Sequence, residues 1–357
     1  MSAMDNVFVI AEAGSNWRMG TPERDLEMAF ALIDVAVEAG ADAVKFQTYR
    51  AASVYAPVAG ESTYLANLGI TRSINEVLAD LEMPYEMIAK LAERCSTRGI
   101  EFMSTPFSVA DADAIDPFVG RHKVASYEIN HVRLLERLAA SGKPLIVSTG
   151  AALESDIAFG LEVIHGANGG PVTLLQCTSK YPAPPDSLNL LAIGWLARTF
   201  GTPVGFSDHS LDPVVGPVAA VALGATVIEK HYTLDRRLPG PDHPFAIEPE
   251  ELAAMVRAVR MAAQTRGQEG KRENEAEQEL RAYAVRSLQA TRDIAQGEEL
   301  VETVNFDVLR PGSHSRGLHP RYLASLAGRR TARAISAGEG IQAEDVVPPP
   351  AVQSAAG

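Results

Sequence analysis

The chain has little cysteine, a shortage of basic charge and no long apolar run. Only Cys95 and Cys177 occur in 357 residues, far apart and in no CxxC pairing. No disulfide is expected, and two inert thiols suit a reducing compartment. Lysine and arginine total 32 against 45 acidic residues, a formal charge of −13, which argues against nucleic acid or an anionic membrane as partner because both need a basic footprint. Any anionic ligand must then be met by a local basic pocket. The longest run with a single charge, 211–228, is broken by Pro213, Gly216, Pro217 and Gly224; it reads as a helix feeding a buried strand, not as a membrane span. The first ten residues lack a basic region and a signal-like apolar core, so no secretion is expected and the cytoplasm is the expected compartment.

What is present is regular. A hydrophobic share of 46% with mean hydropathy −0.01 describes a globular chain. Eight short apolar runs, at 7–11, 43–47, 101–104, 123–127, 144–149, 172–178, 204–207 and 227–231, alternate with helical patterns at 26–39, 84–97, 132–141, 154–165, 188–199, 214–223 and 248–265. Strands without polar alternation are buried on both faces, and eight such units predict a (β/α)8 TIM barrel over 1–267. A charged stretch then separates the domains at 268–284, read as a solvated linker or an exposed helix. From 286 onward there is no lysine, and eight arginines balance eight acids. Here Arg292-Asp-Ile-Ala-Gln-Gly-Glu298 is echoed by Arg333-Ala-Ile-Ser-Ala-Gly-Glu339, which predicts a small pseudo-symmetric β domain at 285–347. The tail at 348–357 is expected to be disordered.

The runs at 204–207 and 227–231 lead into His209 and His231. Alternation puts Ser207 on the face of His209 and Glu229 on the face of His231, so two neighbouring strands would deliver two imidazoles to the carboxyl mouth of the barrel, where a metal would bind. The competing reading is a pair of satisfied core histidines. Lys45 and Lys123 lie in or beside apolar runs, where an unpaired ammonium is costly; they read as a phosphate clamp with Ser126, Ser148 and Ser207, or as snorkelling or ion-paired lysines. Glu12, Glu128 and Glu229 are candidate metal partners, proton shuttles or plain ion-pair partners. Asp242, in the turn Pro239-Gly-Pro-Asp-His243, can bond a hydroxylated substrate or simply make the turn. Arg310-Pro-Gly-Ser-His-Ser-Arg316 is a cationic loop in an acidic chain, read as a solvated loop or as an arginine lid.

At these residues the chain resembles the sialic acid synthase family, the phosphoenolpyruvate-dependent synthases of nine-carbon nonulosonic sugars. The likeness rests on Ile10-Ala-Glu-Ala-Gly-Ser-Asn16, Val44-Lys-Phe-Gln-Thr48, Met103-Ser-Thr-Pro-Phe-Ser108, Lys123-Val-Ala-Ser-Tyr-Glu-Ile129, Ser148-Thr-Gly150, Cys177-Thr-Ser-Lys-Tyr-Pro182, Phe206-Ser-Asp-His209, Ile228-Glu-Lys-His231 and Pro239-Gly-Pro-Asp242. In the tail domain, Arg310-Pro-Gly312 and the two Ile-x-x-Gly-Glu copies resemble the antifreeze-like (SAF, β-clip) domain of the same family. The resemblance implies a divalent metal on His209 and His231, Mn2+ before Mg2+ or Co2+. It implies phosphoenolpyruvate on Lys45, Gln47, Thr105, Lys123, Ser126, Ser148, Ser179 and Ser207, with Tyr181, Asp242 and Arg310 on the N-acetylated sugar and Glu12 and Glu128 near the reacting carbons. It also implies a domain-swapped homodimer in which Arg310 serves the other chain, and a further sugar contact within 49–73. The acceptor would be of the N-acetylmannosamine type, with a pseudaminic- or legionaminic-type diacetamido-hexose as the alternative. A metal-dependent hydrolase and a non-catalytic carbohydrate-binding protein are the rival classes.

Overall fold

The computed structural model describes residues 7–61, 65–66 and 69–348. The calls for the tail beyond 348 and for part of the 49–73 stretch lie outside these residues. The chain divides into two compact units, 1–267 and 268–357. Among the described residues no helix is long and apolar enough to cross a membrane.

In the first unit, β1 (Phe8–Gly14), β2 (Ala43–Thr48), β3 (Glu101–Pro106), β4 (His122–Val124), β5 (Leu145–Ser148), β6 (Val172–Cys177), β7 (Val204–Asp208) and β8 (Val227–His231) form one parallel sheet. Its order is β3-β2-β1-β8-β7-β6-β5-β4. Strand 1 pairs with strand 8 as well as with strand 2, Ile10 opposite both Ala43 and Glu229, and this curls the sheet into a (β/α)8 barrel. Helices α1 (Pro22–Ala39), α2 (Ala51–Val54), α3 (Ile74–Asp80), α4 (Tyr85–Arg98), α5 (Val109–Ile115), α6 (Val132–Ala139), α7 (Glu154–Gly166), α8 (Leu191–Phe200), α9 (Val215–Ala222) and α10 (Pro249–Thr265) connect or cover the strands. The α1 helix begins at Thr21, whose side chain accepts from Arg24 N, with Pro22 at its first position, and it ends at Gly40 with φ +82°; these are the residue types such ends require. Outward-facing strand residues such as Val9, Val44, Phe46, Val147 and Phe206 pack under helical residues including Leu32, Ile33, Leu91 and Leu135 in a continuous core.

One sequence expectation needs correction. The fourth strand is shorter than 123–127: it ends at Val124, and Ser126–Glu128 forms a 3-10 turn closed by Glu128 N donating to the Ala125 carbonyl. The segment after β2 carries α2 and α3, which the hydrophobic pattern did not reveal because they are only 4 and 7 residues long. In the charged stretch, read as a solvated linker or an exposed helix, part is helical, α11 (Gln278–Ala284).

The second unit has β9 (Ser287–Ala290) antiparallel to β10 (Phe306–Leu309), and β11 (Arg330–Thr331) antiparallel to β12 (Val346–Val347). The two sequence echoes face each other. Ile294 and Ile335 exchange backbone hydrogen bonds of 2.8 and 2.9 Å, while Arg292–Glu298 and Arg333–Glu339 close equivalent ion pairs at 2.6 and 2.7 Å. Leu288, Ile294, Leu300, Phe306, Ile335 and Ile341 belong to a separate core.

Candidate active site

Strand periodicity builds the site. Ile10, Ala43, Met103, Ile146, Leu175 and Val227 point inward and form an apolar plug. Two residues further along each strand, on the same face, stand Glu12, Lys45, Thr105, Ser148, Cys177 and Glu229, and these line a cavity of about 580 Å³ at the carboxyl mouth. Gln47, Lys123, Ser126, Glu128, Tyr181, Ser207, His209, His231 and Asp242 line the same cavity. Fourteen of the candidate residues are therefore brought to one opening, all but Ser179 and Arg310 once Glu229 is counted with them. Ser179 lies just behind the wall, as described below. Arg310 is exposed in the second unit.

The two ammonium groups flank one carboxylate. Lys45 Nζ is 2.6 Å from Glu12 Oε2 and 3.8 Å from Glu229 Oε2, and it donates to Thr105 Oγ1 at 3.0 Å. Lys123 Nζ donates to Ser148 Oγ at 2.7 Å and to the Val124 carbonyl at 2.8 Å, and it lies 3.9 Å from Glu229 Oε1. Ser207 donates to Glu229 at 3.0 Å and Gln47 to Glu12 at 3.0 Å. Burial pushes the Glu12 carboxyl above the usual range against the pull of Lys45, and the charge on Glu229 adds to the push. Burial opposes ionisation of Glu229 too, but Lys123 and Lys45 together hold it below its ordinary value. Burial pulls the Lys123 ammonium down, and Glu229 only partly resists. The floor thus sets Lys45 and Lys123 against Glu229, which is held ionised, and Glu12, whose carboxyl is pushed up to about 7 and pairs with Lys45.

Hydroxyls stand beside Lys123. Gly150 N donates to Ser126 Oγ at 2.9 Å. A Cβ at Gly150 would collide with Ser179 Oγ and come within 2.9 Å of Ser126 Oγ and 3.0 Å of Cys177 Sγ, so the bare backbone lets these groups converge. Ser179 Oγ is buried and has no hydrogen-bond partner among the described residues. Cys177, expected to be an inert thiol, instead lines the cavity with Sγ 3.8 Å from His209 Nδ1.

The rings of His209 and His231 lie 5.5 Å apart, centroid to centroid. His209 Nδ1 is 2.9 Å from the Thr178 carbonyl; a neutral ring donating there would keep the lone pair on Nε2, while against the effect of burial the Cys177 thiol beside it raises the pKa of His209. His231 Nδ1 is buried without a partner. Burial, helped by His209 and Lys45, holds the His231 imidazole neutral, its pKa well below the ordinary histidine value. A neutral imidazole with an unused nitrogen is what a divalent cation requires. Among the described residues no three histidine, cysteine or carboxylate side chains form a ready-made cage; an ion on these two would have most of its coordination sphere left for water and substrate. Tyr181 packs on His209 at 4.3 Å between ring centroids and on Phe245 at 5.2 Å. Asp242 Oδ2 accepts from Ser15 N at 3.0 Å and Ser15 Oγ at 2.8 Å, beside Gly14, whose φ of +52° brings β1 close to Asp242 and His231. Glu128, half-buried on the 3-10 turn, has its carboxyl pushed up to about 7 by burial.

Sequence reasoning did not name Tyr49, Val54, Tyr55, Ile74, Leu78, Phe107 and Tyr127, which complete the lining. Phe107 and Tyr127 were visible inside motifs; the others sit in a segment with no periodic signal.

The chain is similar to known proteins over most of its length. The NeuB family model matches residues 32–271 and the SAF domain model residues 285–347. The chain is 40% identical to the spore coat polysaccharide biosynthesis protein SpsE of Bacillus subtilis, over 96% of this chain and 94% of that one. It is 37% identical to the N,N'-diacetyllegionaminic acid synthase of Legionella pneumophila, over 93% and 92%. The crystal structure of the N-acetylneuraminic acid synthetase of Leptospira borgpetersenii superimposes with a TM-score of 0.68 at 34% identity, over 78% of this chain and 90% of that one.

Proposed function

We propose the following reading for this chain, which belongs to the NeuB family and carries an SAF domain at residues 285–347. It is a synthase of nonulosonic acids. Its reaction condenses phosphoenolpyruvate with the open-chain aldehyde of an N-acetylated hexosamine, N-acetylmannosamine or a diacetamido-hexose, to give a nine-carbon 2-keto acid and inorganic phosphate. What carries the reading is the pair of buried lysines, Lys45 and Lys123, on the same cavity as His209 and His231.

Lys45 and Lys123 hold the anionic groups of phosphoenolpyruvate, with Gln47, Thr105, Ser126, Ser148, Ser179 and Ser207 supplying short donors. His209 and His231 hold a divalent metal, Mn2+ before Mg2+ or Co2+, which when bound polarises the acceptor aldehyde as a Lewis acid. Tyr181 and Asp242 orient the acceptor, joined by Arg310 from the partner chain of a domain-swapped homodimer. Carbon 3 of phosphoenolpyruvate bonds to the aldehyde carbon, whose oxygen takes up a proton. Water adds at carbon 2, and its proton passes to Glu12 or Glu128 as general base. The carbon–oxygen bond to phosphate then breaks, phosphate leaves with the electron pair, and the keto group forms. The lysines stabilise the anionic charge throughout, in a dry site where such charge–charge stabilisation is strongest. The enzyme works in the cytoplasm, where phosphoenolpyruvate is available.

The test is phosphate release. With Mn2+ present, release is expected only when phosphoenolpyruvate and an N-acetylated sugar are supplied together. Release from phosphoenolpyruvate alone, or deacetylation of the sugar without phosphate, would point to a hydrolase instead.

A further inference from the structure

His209 and His231 are held by different means. His231 ends β8 and pairs with Glu12 of β1, and its carbonyl accepts from Ile247 N at 2.9 Å. Strand β7 ends at Asp208, so His209 stands one residue past the ladder, on a turn. Alternation puts Asp208 and Lys230 on the outer face of the sheet with Phe206 and Ile228, where they are opposite each other in register. Lys230 Nζ donates to Asp208 Oδ2 at 2.6 Å and to the Ser210 carbonyl at 2.7 Å. Asp208 in turn accepts from Ser210 N at 2.8 Å on Oδ1 and from Ser210 Oγ at 3.1 Å on Oδ2. One ammonium group, on the residue directly before His231, thus grips both residues that flank His209. Lys230 and Asp208 are each 1% exposed and Ser210 is 2% exposed. Helix α9 closes over them, and a Cβ on its Gly216 would stand 3.3 Å from Asp208 Oδ2.

Two charges taken out of water contribute little stability over an apolar pair of similar size; what their hydrogen bonds add is direction. An ion shared by two imidazoles needs both rings within about 0.5 Å of their places. The ring of His209 bonds the Thr178 carbonyl, and its own carbonyl accepts from Ala183 N. Both partners come from the segment after β6, so neither fixes His209 against β8. Lys230 does, by tying the turn that carries His209 to the strand that carries His231. We infer that Lys230, through Asp208 and Ser210, is the positioning residue that sets the spacing of the two imidazoles and hence the affinity of the site for its divalent ion. Lys230 acts from behind the sheet and does not line the cavity. This rests on the metal assignment of the proposed function.

The test is Mn2+ binding to the full chain by electron paramagnetic resonance, the site being the one that His209→Ala abolishes, beside phosphoenolpyruvate binding by calorimetry. Lys230→Met alone strands the Asp208 carboxylate, so the variant to use is Lys230→Met with Asp208→Asn. It removes both charges and keeps an acceptor for Ser210 N. Its Kd for Mn2+ is expected to rise by roughly tenfold or more, the usual cost of losing a partner behind a metal ligand. Its melting temperature should recover above that of Lys230→Met, and its Kd for phosphoenolpyruvate should stay native. A purely structural role would instead return Mn2+ affinity along with stability. If the double variant does not fold, Ser210→Ala carries the same test with the ion pair in place, and a smaller rise in the Kd for Mn2+ is expected. A native Kd for Mn2+ in the variant, or Mn2+ and phosphoenolpyruvate affinities that fall together, overturns the inference and leaves the metal assignment standing. A native chain with no Mn2+ site that His209→Ala abolishes removes the assignment and the inference together.

Discussion

Lys123 reaches Ser148 and the Val124 carbonyl in a place where burial already weakens its charge, so no neighbour can replace it once it is removed. Lys123→Ala is expected to lower turnover on the order of 10²-fold or more, the usual cost of one well-placed donor, in a steady-state phosphate assay; turnover like that of the native chain would refute the site. Glu128 gives a pH test. Its carboxyl is raised to about 7 in the folded chain from 4.5, so its contribution to stability is full below 4.5 and is lost as pH rises through 7. Glu128→Gln removes that loss. The melting temperature of the variant relative to the native chain should therefore rise between pH 5 and pH 8, and a difference that is flat across this range would mean Glu128 is no more buried than a surface carboxylate. At this scale the floor of the site was legible because a lysine or glutamate within an apolar run is anomalous in itself. The wall was not, since Tyr55, Ile74 and Leu78 are ordinary residues in a stretch without periodicity, placed by helices too short to leave a pattern.

Strands and the turns after them explain why the site is shaped as it is. The period of two that puts Ile10 in the plug puts Glu12 on the floor, and the same step repeats from Val227 to Glu229. Both the barrel and its floor could thus be read from runs of apolar residues ending in polar ones. The end of β4 could not, because Ala125-Ser-Tyr-Glu has the composition of a strand and turns only through the bond from Glu128 N to Ala125. Beneath the histidines, Lys230 and Asp208 form a 2.6 Å ion pair, both fully buried, on the outward face of β8 and β7. Lys230→Met leaves Asp208 charged and unpaired, and a loss of about 3–5 kcal/mol in denaturant unfolding is expected; a loss below 1 kcal/mol would mean the pair is solvated. Gly205 faces the plug, where a Cβ would meet the Val227 carbonyl and come within 2.5 Å of Leu175. Gly205→Ala should cost about 1–3 kcal/mol by overpacking, read in the same experiment.

The molecule as a whole is two units with separate cores, and the composition break at 286 foretold the second. Its internal echo was legible because Ile294 and Ile335 had to pair to bury their side chains. How the second unit serves the first is a matter of assembly, which a single sequence encodes only weakly. If Arg310 acts across a homodimer, chains bearing Arg310→Ala and His231→Ala, each inactive alone, should regain activity when unfolded together and refolded as a mixture, because one hybrid site in the mixed dimer is intact. Failure to complement, with mixed dimers demonstrated by mass, would place Arg310 in its own chain's site or in none. The central claim is that the imidazole pair and the ammonium pair share one cavity, so that cation and phosphoester are neighbours. The most direct measurement is the 31P relaxation of phosphoenolpyruvate on titration with Mn2+ in the presence of the protein. The account predicts strong protein-dependent broadening that is abolished in the His209→Ala, His231→Ala double variant while phosphoenolpyruvate still binds. Bound phosphoenolpyruvate whose 31P line is unaffected by Mn2+, or is broadened equally in the double variant, would contradict it.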